Sequence, residues 1–139
     1  MKLRLSQKVY MAESAIAKAG RGVFAAKAIK SGGIIETCPV IDLPDKDRQQ
    51  LKDSELYNYY FLWGKEQNHA AIALGFGSLY NHSYDPNATY VKRIDEGLID
   101  FIALKPIKKD EEITVNYNFG NPNDQSPLWI KSIKPPGKK

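Results

Sequence analysis

The sequence holds one cysteine, Cys38, and two histidines, His69 and His82. A single cysteine excludes an internal disulfide and any zinc site built from cysteine pairs. With one other histidine and no cysteine pair to help, His82 is a poor metal ligand, and no metal is expected. Cys38 closes an apolar run in Glu-Thr-Cys-Pro, a setting that suits a buried small residue at a strand end better than a nucleophile. No stretch approaches the ~18 consecutive apolar residues that span a bilayer. The lysine and arginine near Met1 precede no apolar segment of signal-peptide length, so a soluble, intracellular protein without membrane association is expected. Excess charge is also scarce. Lys+Arg number 20 against 16 Asp+Glu, a net of +4, and Lys131, Lys134, Lys138 and Lys139 at the C-terminus supply much of it. Nucleic-acid modules concentrate a stronger basic patch, and no aromatic-plus-basic sheet motif is present. A direct nucleic-acid partner is therefore not expected.

What the chain does have is 42% hydrophobic residues over a length of 139, enough for one core and one domain. Short apolar runs alternate with turn clusters. Leu3–Met11, Gly22–Ala26 and Ile34–Ile41 read as strands. Thr89–Ile94 and Gly97–Leu104 read as a hairpin turning at Asp95-Glu96-Gly97, and Glu112–Tyr117 as a last short strand. Pro44–Leu56 is charged, with Leu51 and Leu56 as sparse apolar points, and suits a short helix or an irregular surface segment. Leu56–Trp63 is dense in aromatics: Tyr57, Tyr59, Tyr60, Phe61 and Trp63. Many short strands and little helix predict a mainly β fold.

Three segments carry more. Gly20-Arg21-Gly22-Val23-Phe24-Ala25 places two glycines where the main chain can approach a ligand without a Cβ in the way. Asn81-His82-Ser83-Tyr84-Asp85-Pro86-Asn87 concentrates hydrogen-bonding groups after Gly75-Phe76-Gly77-Ser78-Leu79-Tyr80. Glu111-Glu112-Ile113-Thr114-Val115-Asn116-Tyr117 ends on a phenol. Each alone has an ordinary reading: a plain turn, a polar turn capping a helix, and an edge strand. Together, in this order and spacing, they resemble the SET-domain family of protein-lysine methyltransferases, with most likeness to its minimal viral and bacterial members. The resemblance covers about residues 15–120, leaving 121–139 as a C-terminal lid or tail of a single domain.

The resemblance implies a fold of small β-sheets with few short helices and a C-terminal pseudoknot. It implies S-adenosylmethionine as cofactor, S-adenosylhomocysteine as product, and a protein lysine as acceptor, with a histone tail as the family's usual substrate. Tyr117 is then the catalytic residue. Gly20, Arg21, Gly22, Tyr59, Asn81, His82 and Tyr117 are implied to bind the cofactor. Tyr59, Val115, Tyr117 and Trp129 are implied to line the pocket for the substrate lysine. Small viral relatives form dimers, and pairing of two copies would bury extra apolar surface.

The chain departs from the family pattern in three respects. Val115 stands where an aromatic is common, two residues before the final tyrosine, which implies a roomier pocket open to di- or trimethylation. Asp110 replaces the usual glycine of the turn before Glu111-Glu112, a change aspartate tolerates. The cysteine-rich, zinc-binding flanks of many nuclear members have no counterpart in a chain with one cysteine. Phe119, Trp129 and Ile130 are placed to cover the lysine channel instead, with Trp129 read equally well as an ordinary core anchor. A non-catalytic SET-like module that binds a peptide or partner protein is the competing reading.

Overall fold

The runs rich in β-branched and aromatic residues become strands wherever a neighbour offers its main-chain groups. A computed structural model describes residues 2–130, and the four C-terminal lysines lie outside the described residues. The strands are β1 (Val9–Glu13), β2 (Arg21–Ala25), β3 (Ile34–Leu43), β4 (Phe61–Trp63), β5 (His69–Ala73), β6 (Asn81–His82), β7 (Ala88–Arg93), β8 (Leu98–Ala103) and β9 (Glu112–Val115). They form two sheets, ordered β1-β2-β9-β6 and β4-β5-β3-β8-β7. Helix is confined to one turn, α1 (Asp45–Arg48), and to short 3-10 segments. The expected mainly β architecture is therefore present. No described helix is long and apolar enough to cross a membrane.

The first strand begins later than Leu3. Its register sets Val9 opposite Ala25, the last residue of β2, so the residues before Val9 have no strand to pair with. The Ala26 N–H donates to the Lys8 carbonyl at 2.7 Å, and side chains hold the rest of that segment. Ser6 Oγ donates to the Ile35 carbonyl at 2.7 Å and Lys8 Nζ to the Ile34 carbonyl at 2.7 Å. The ambiguous charged stretch after Pro44 resolves into α1 and two 3-10 turns, Gln49–Asp53 and Glu55–Asn58. Arg48 pairs with Asp45 at 2.7 Å across one turn of α1.

The β7–β8 hairpin forms as its sequence indicates. Arg93 pairs with Leu98, and Gly97 takes the left-handed conformation at φ 69° that the turn requires. Asp110 also lies in the left-handed region, at φ 69°. This is the backbone reason a glycine is usual there. Its carboxylate accepts a hydrogen bond from the Tyr10 hydroxyl at 2.9 Å, which helps to hold the turn.

A bulge in β3 does most to position the site. The register with β8 shifts between Ile34 and Glu36, so the successive residues Ile35 and Glu36 are both buried, at 1% and 5% exposure. The inward Glu36 carboxylate accepts the Tyr80 hydroxyl at 2.9 Å and the Phe76 N–H at 3.1 Å. The Tyr80 ring stacks on Phe101 with centroids 4.4 Å apart. Val23, Ile35, Ile99, Phe101 and Ile113 are fully buried around this pair. Cys38 lies in the same core, and burial pushes its thiol pKa up. It is the inert small residue its sequence setting indicates.

Candidate active site

The three diagnostic segments meet on one strand. β9 lies between β2 and β6. On one side Val23 pairs with Ile113, antiparallel. On the other Asn81 pairs with Thr114 and His82 with Val115, in parallel. Gly22 stands where the three come closest. A Cβ there would meet the Glu112 carboxylate and lie 3.0 Å from Asn81 Nδ2, so a larger residue would have to displace the side chains that join β2, β6 and β9. Asn81 Nδ2 donates to the Arg21 carbonyl at 2.7 Å and to Glu112 Oε2 at 2.8 Å. Glu112 Oε1 accepts from Ser14 Oγ at 2.7 Å. The Asn81 amide hydrogens thus lock the glycine turn to β9, which leaves Oδ1 as the part of that side chain available to a ligand.

His82 is fixed by its neighbours. The main-chain N–H of Tyr117 donates to His82 Nδ1 at 2.9 Å. The neutral ring therefore carries its proton on Nε2. That nitrogen is buried and has no partner among the described residues. The ring lies edge-on to Tyr84 at 4.3 Å and tilted against Tyr117 at 5.2 Å. Burial pulls its pKa down to about 4, so it is uncharged at neutral pH.

Tyr117 donates its hydroxyl to the Tyr80 carbonyl at 2.7 Å. Burial first, and then Tyr59 nearby, raise its pKa, so it stays a neutral phenol. Its ring closes one side of a cavity of about 320 Å³ that is also lined by Tyr59, Tyr60, Tyr90, Val115 and Trp129. All four residues expected to form the lysine pocket, Tyr59, Val115, Tyr117 and Trp129, therefore face one space. Trp129 is 47% exposed, stacks on Tyr117 at 6.1 Å and donates from Nε1 to Asn58 Oδ1 at 3.1 Å. It covers the cavity from outside and is not a core anchor. Phe119 lines the same cavity, whereas Ile130 does not.

Gly20, Arg21, Gly22, Asn81 and His82 are not among the cavity-lining residues. They adjoin the two tyrosines that are. The Arg21 guanidinium stands 5.8 Å from the centre of the Tyr59 ring, and His82 packs on Tyr117. Tyr59 and Tyr117 thus join the two groups of residues. At φ 78°, Gly20 has no atom within 4 Å of the point a Cβ would occupy, so its main chain borders open space. Bare backbone, a guanidinium, an aromatic face and an orphaned buried N–H form a donor set suited to a polar ligand with a carboxylate and a heteroaromatic end. S-adenosylmethionine is such a ligand, and these residues fit it.

Tyr80, Glu36 and Glu112 matter here and were not singled out from the sequence. Tyr80 acts through a main-chain carbonyl and Glu36 through a bulge, neither of which leaves a mark in residue type. Glu112 sat inside a recognised motif, but its contact with Gly22 becomes visible only once β2 and β9 pair.

A model of the SET domain matches residues 20–118. The chain is 32% identical over 99 residues to a histone-lysine N-methyltransferase described as H3 lysine-37 specific from Schizosaccharomyces pombe, covering 70% of this chain and 66% of that one. It is 36% identical over 110 residues to the histone-lysine N-methyltransferase Set2 of Drosophila melanogaster, covering 73% of this chain and 5% of that one. The chain therefore spans just under two thirds of the first relative and a small part of the second. Among solved structures, a candidate histone methyltransferase of Plasmodium falciparum superposes with a TM-score of 0.65 at 30% identity, covering 82% of this chain and 96% of that one. Polycomb Repressive Complex 2 of Chaetomium thermophilum, in a structure bound to S-adenosylmethionine, superposes at 0.69 with 21% identity, over 84% of this chain and 16% of that one, and shares the fold. This chain belongs to the SET domain family.

Proposed function

We propose that this chain transfers a methyl group from S-adenosylmethionine to the side-chain amine of a lysine in a protein, and that histone tails are its substrate class. The observation that carries the reading is the position of Tyr117. One phenol borders the aromatic cavity, receives the His82 ring on its flank, and is anchored at both its N–H and its hydroxyl. The histone-lysine specificity of the relatives supports the substrate class.

When bound, the cofactor supplies an electrophilic methyl group on a cationic sulfur. Gly20, Arg21 and the main chain of Asn81 and His82 offer the groups that would hold its polar ends. Val115, Tyr59 and Tyr117 shape a passage that strips water from an entering lysine. That lysine has an ordinary pKa of about 10.4 and must be uncharged to attack. Desolvation in a cavity with no carboxylate among its described lining residues favours the neutral amine. Tyr117, held by the Tyr80 carbonyl, orients the amine for in-line displacement, and alignment in a dry passage accounts for most of the acceleration.

The test is incubation with labelled S-adenosylmethionine and histones, wild type beside Tyr117→Phe. The expected result is label on histone lysines with wild type and a much weaker signal with the variant. Equal labelling by both would remove Tyr117 from its role. A cofactor-induced rise in melting temperature with no labelling of any protein would favour the competing, non-catalytic module.

A further inference from the structure

Among the described residues, Lys92 on β7 is the one charged side chain that lines the cavity. Its Nζ donates to the Leu62 carbonyl at 2.6 Å and stands 5.7 Å from the centre of the Phe119 ring. A carbonyl oxygen and an aromatic face are groups that retain an ammonium ion away from bulk water. Among the described residues no carboxylate forms an ion pair with Lys92. Asp100 on β8 pairs in register with Val91, the neighbour of Lys92, so it lies on the other face of the sheet, where it binds Arg93 at 2.9 Å. The other titratable groups around the cavity are phenols: Tyr57, Tyr59 and Tyr60 before β4, Tyr80 before β6, Tyr90 on β7 and Tyr117 after β9. At the margin Arg21 faces Tyr59, and the Glu112 carboxylate, which raises the Tyr117 pKa, carries the opposite charge. Among the described residues that line the cavity no carboxylate offsets the Lys92 ammonium.

This is an unusual lining for a space that receives a lysine. Attraction between the cavity and a protonated substrate would call for a carboxylate, and a fixed cation does the reverse. We propose that Lys92 disfavours the protonated form of the incoming lysine by like-charge repulsion, so that the amine gives up its proton to water on entering the cavity. Nothing is transferred to or from Lys92. Burial lowers the Lys92 pKa too, but the bond to the Leu62 carbonyl opposes that shift and holds the ammonium. The N–C bond to the substrate forms as the S–C bond of the methyl donor breaks. The inference rests on the methyltransferase reading and assigns that site a residue that controls the charge state of its substrate.

The experiment is the pH dependence of kcat on a histone peptide, for wild type, Lys92→Met and Lys92→Arg. kcat reports groups in the enzyme–substrate complex, where the target amine resides. Two charges roughly 8 Å apart at an effective dielectric of about 20 shift one another by about 1.5 pH units. Lys92→Met is expected to move the acid limb upward by that amount and to converge on wild type at high pH, where the target amine is neutral in both. Lys92→Arg keeps the charge and is expected to retain the wild-type limb. Cofactor-induced melting shifts for each variant show that the fold and the cofactor site survive. Coincident acid limbs for wild type and Lys92→Met, or a loss of equal size at every pH, would overturn the inference while leaving the methyltransferase reading intact. Absence of methyl transfer by wild type would overturn both.

Discussion

The main-chain N–H of Tyr117 rests on the ring nitrogen of His82, 2.9 Å away. This bond requires a lone pair on Nδ1, so it exists only while His82 is neutral. Unfolded, the imidazole titrates near 6.5, and in the folded protein burial holds it down to about 4. Between those values the unfolded chain carries the extra proton. The stability contribution is therefore complete above about pH 6.5, declines as pH falls through that value, and is lost by about pH 4. Melting temperature measured across this range should fall more steeply for wild type than for His82→Asn, whose side-chain oxygen still accepts from Tyr117. Parallel curves would assign the acid sensitivity to other groups.

Tyr117→Phe keeps the ring and removes the hydroxyl that reaches the Tyr80 carbonyl. Turnover should fall by about a hundredfold, the scale on which a single positioned donor acts at a reacting centre. Cofactor-induced stabilisation should survive. Steady-state kinetics paired with thermal shift separates the two effects.

Val115 is 2% exposed and faces the cavity. Wild type is expected to yield di- and trimethyllysine. Val115→Tyr should restrict the product to monomethyllysine by filling space, at an overpacking cost of roughly 1–3 kcal/mol. Mass spectrometry of product peptides resolves the distribution, and strictly monomethyl product from wild type would contradict the roomier pocket.

Trp129 covers the cavity and stacks on Tyr117. Aromatic pairs contribute about 0.5–1.5 kcal/mol beyond burial, so Trp129→Ala should raise KM for peptide by about three- to tenfold with a small change in melting temperature. A severe loss of stability would mean the indole belongs to the core after all.

Asp110 occupies a left-handed turn at φ 69°. Aspartate already bears part of the left-handed penalty of ~1–2 kcal/mol, so Asp110→Ala should lose the smaller difference of roughly 0.5 kcal/mol, besides the Tyr10 bond. Asp110→Gly should recover most of that. Chemical denaturation of the three proteins gives the ranking.

Much of the fold could be read from the chain. The β7–β8 hairpin announced itself through Asp95-Glu96-Gly97, and β2 and β9 through short apolar runs between turn clusters, because local patterns encode local pairing. The start of β1 was misplaced because its end is set by where β2 stops, a matter of register and not of residue type. At the site, Tyr59, Val115, Tyr117 and Trp129 converge on one cavity, a grouping carried by family resemblance and beyond what periodicity can supply. Nothing in residue type or spacing sets Lys92 apart from the other lysines. Its direction follows from the alternation of β7 once Tyr90 is known to face inward, and that requires the sheet. Trp129 was open between two readings because an indole far along the chain carries no sign of which surface it meets.

The strand order of the smaller sheet has a consequence for biosynthesis. Among the described residues β9 is the last strand in sequence, yet it takes an interior lane between β2 and β6. A nascent chain that has emerged only as far as Lys109 holds two separated edges with an empty slot between them. Gly22, Asn81 and the residues that will contact Tyr117 can join only when the final strand slides in, so catalytic competence arrives in one late step and no shorter intermediate should show it.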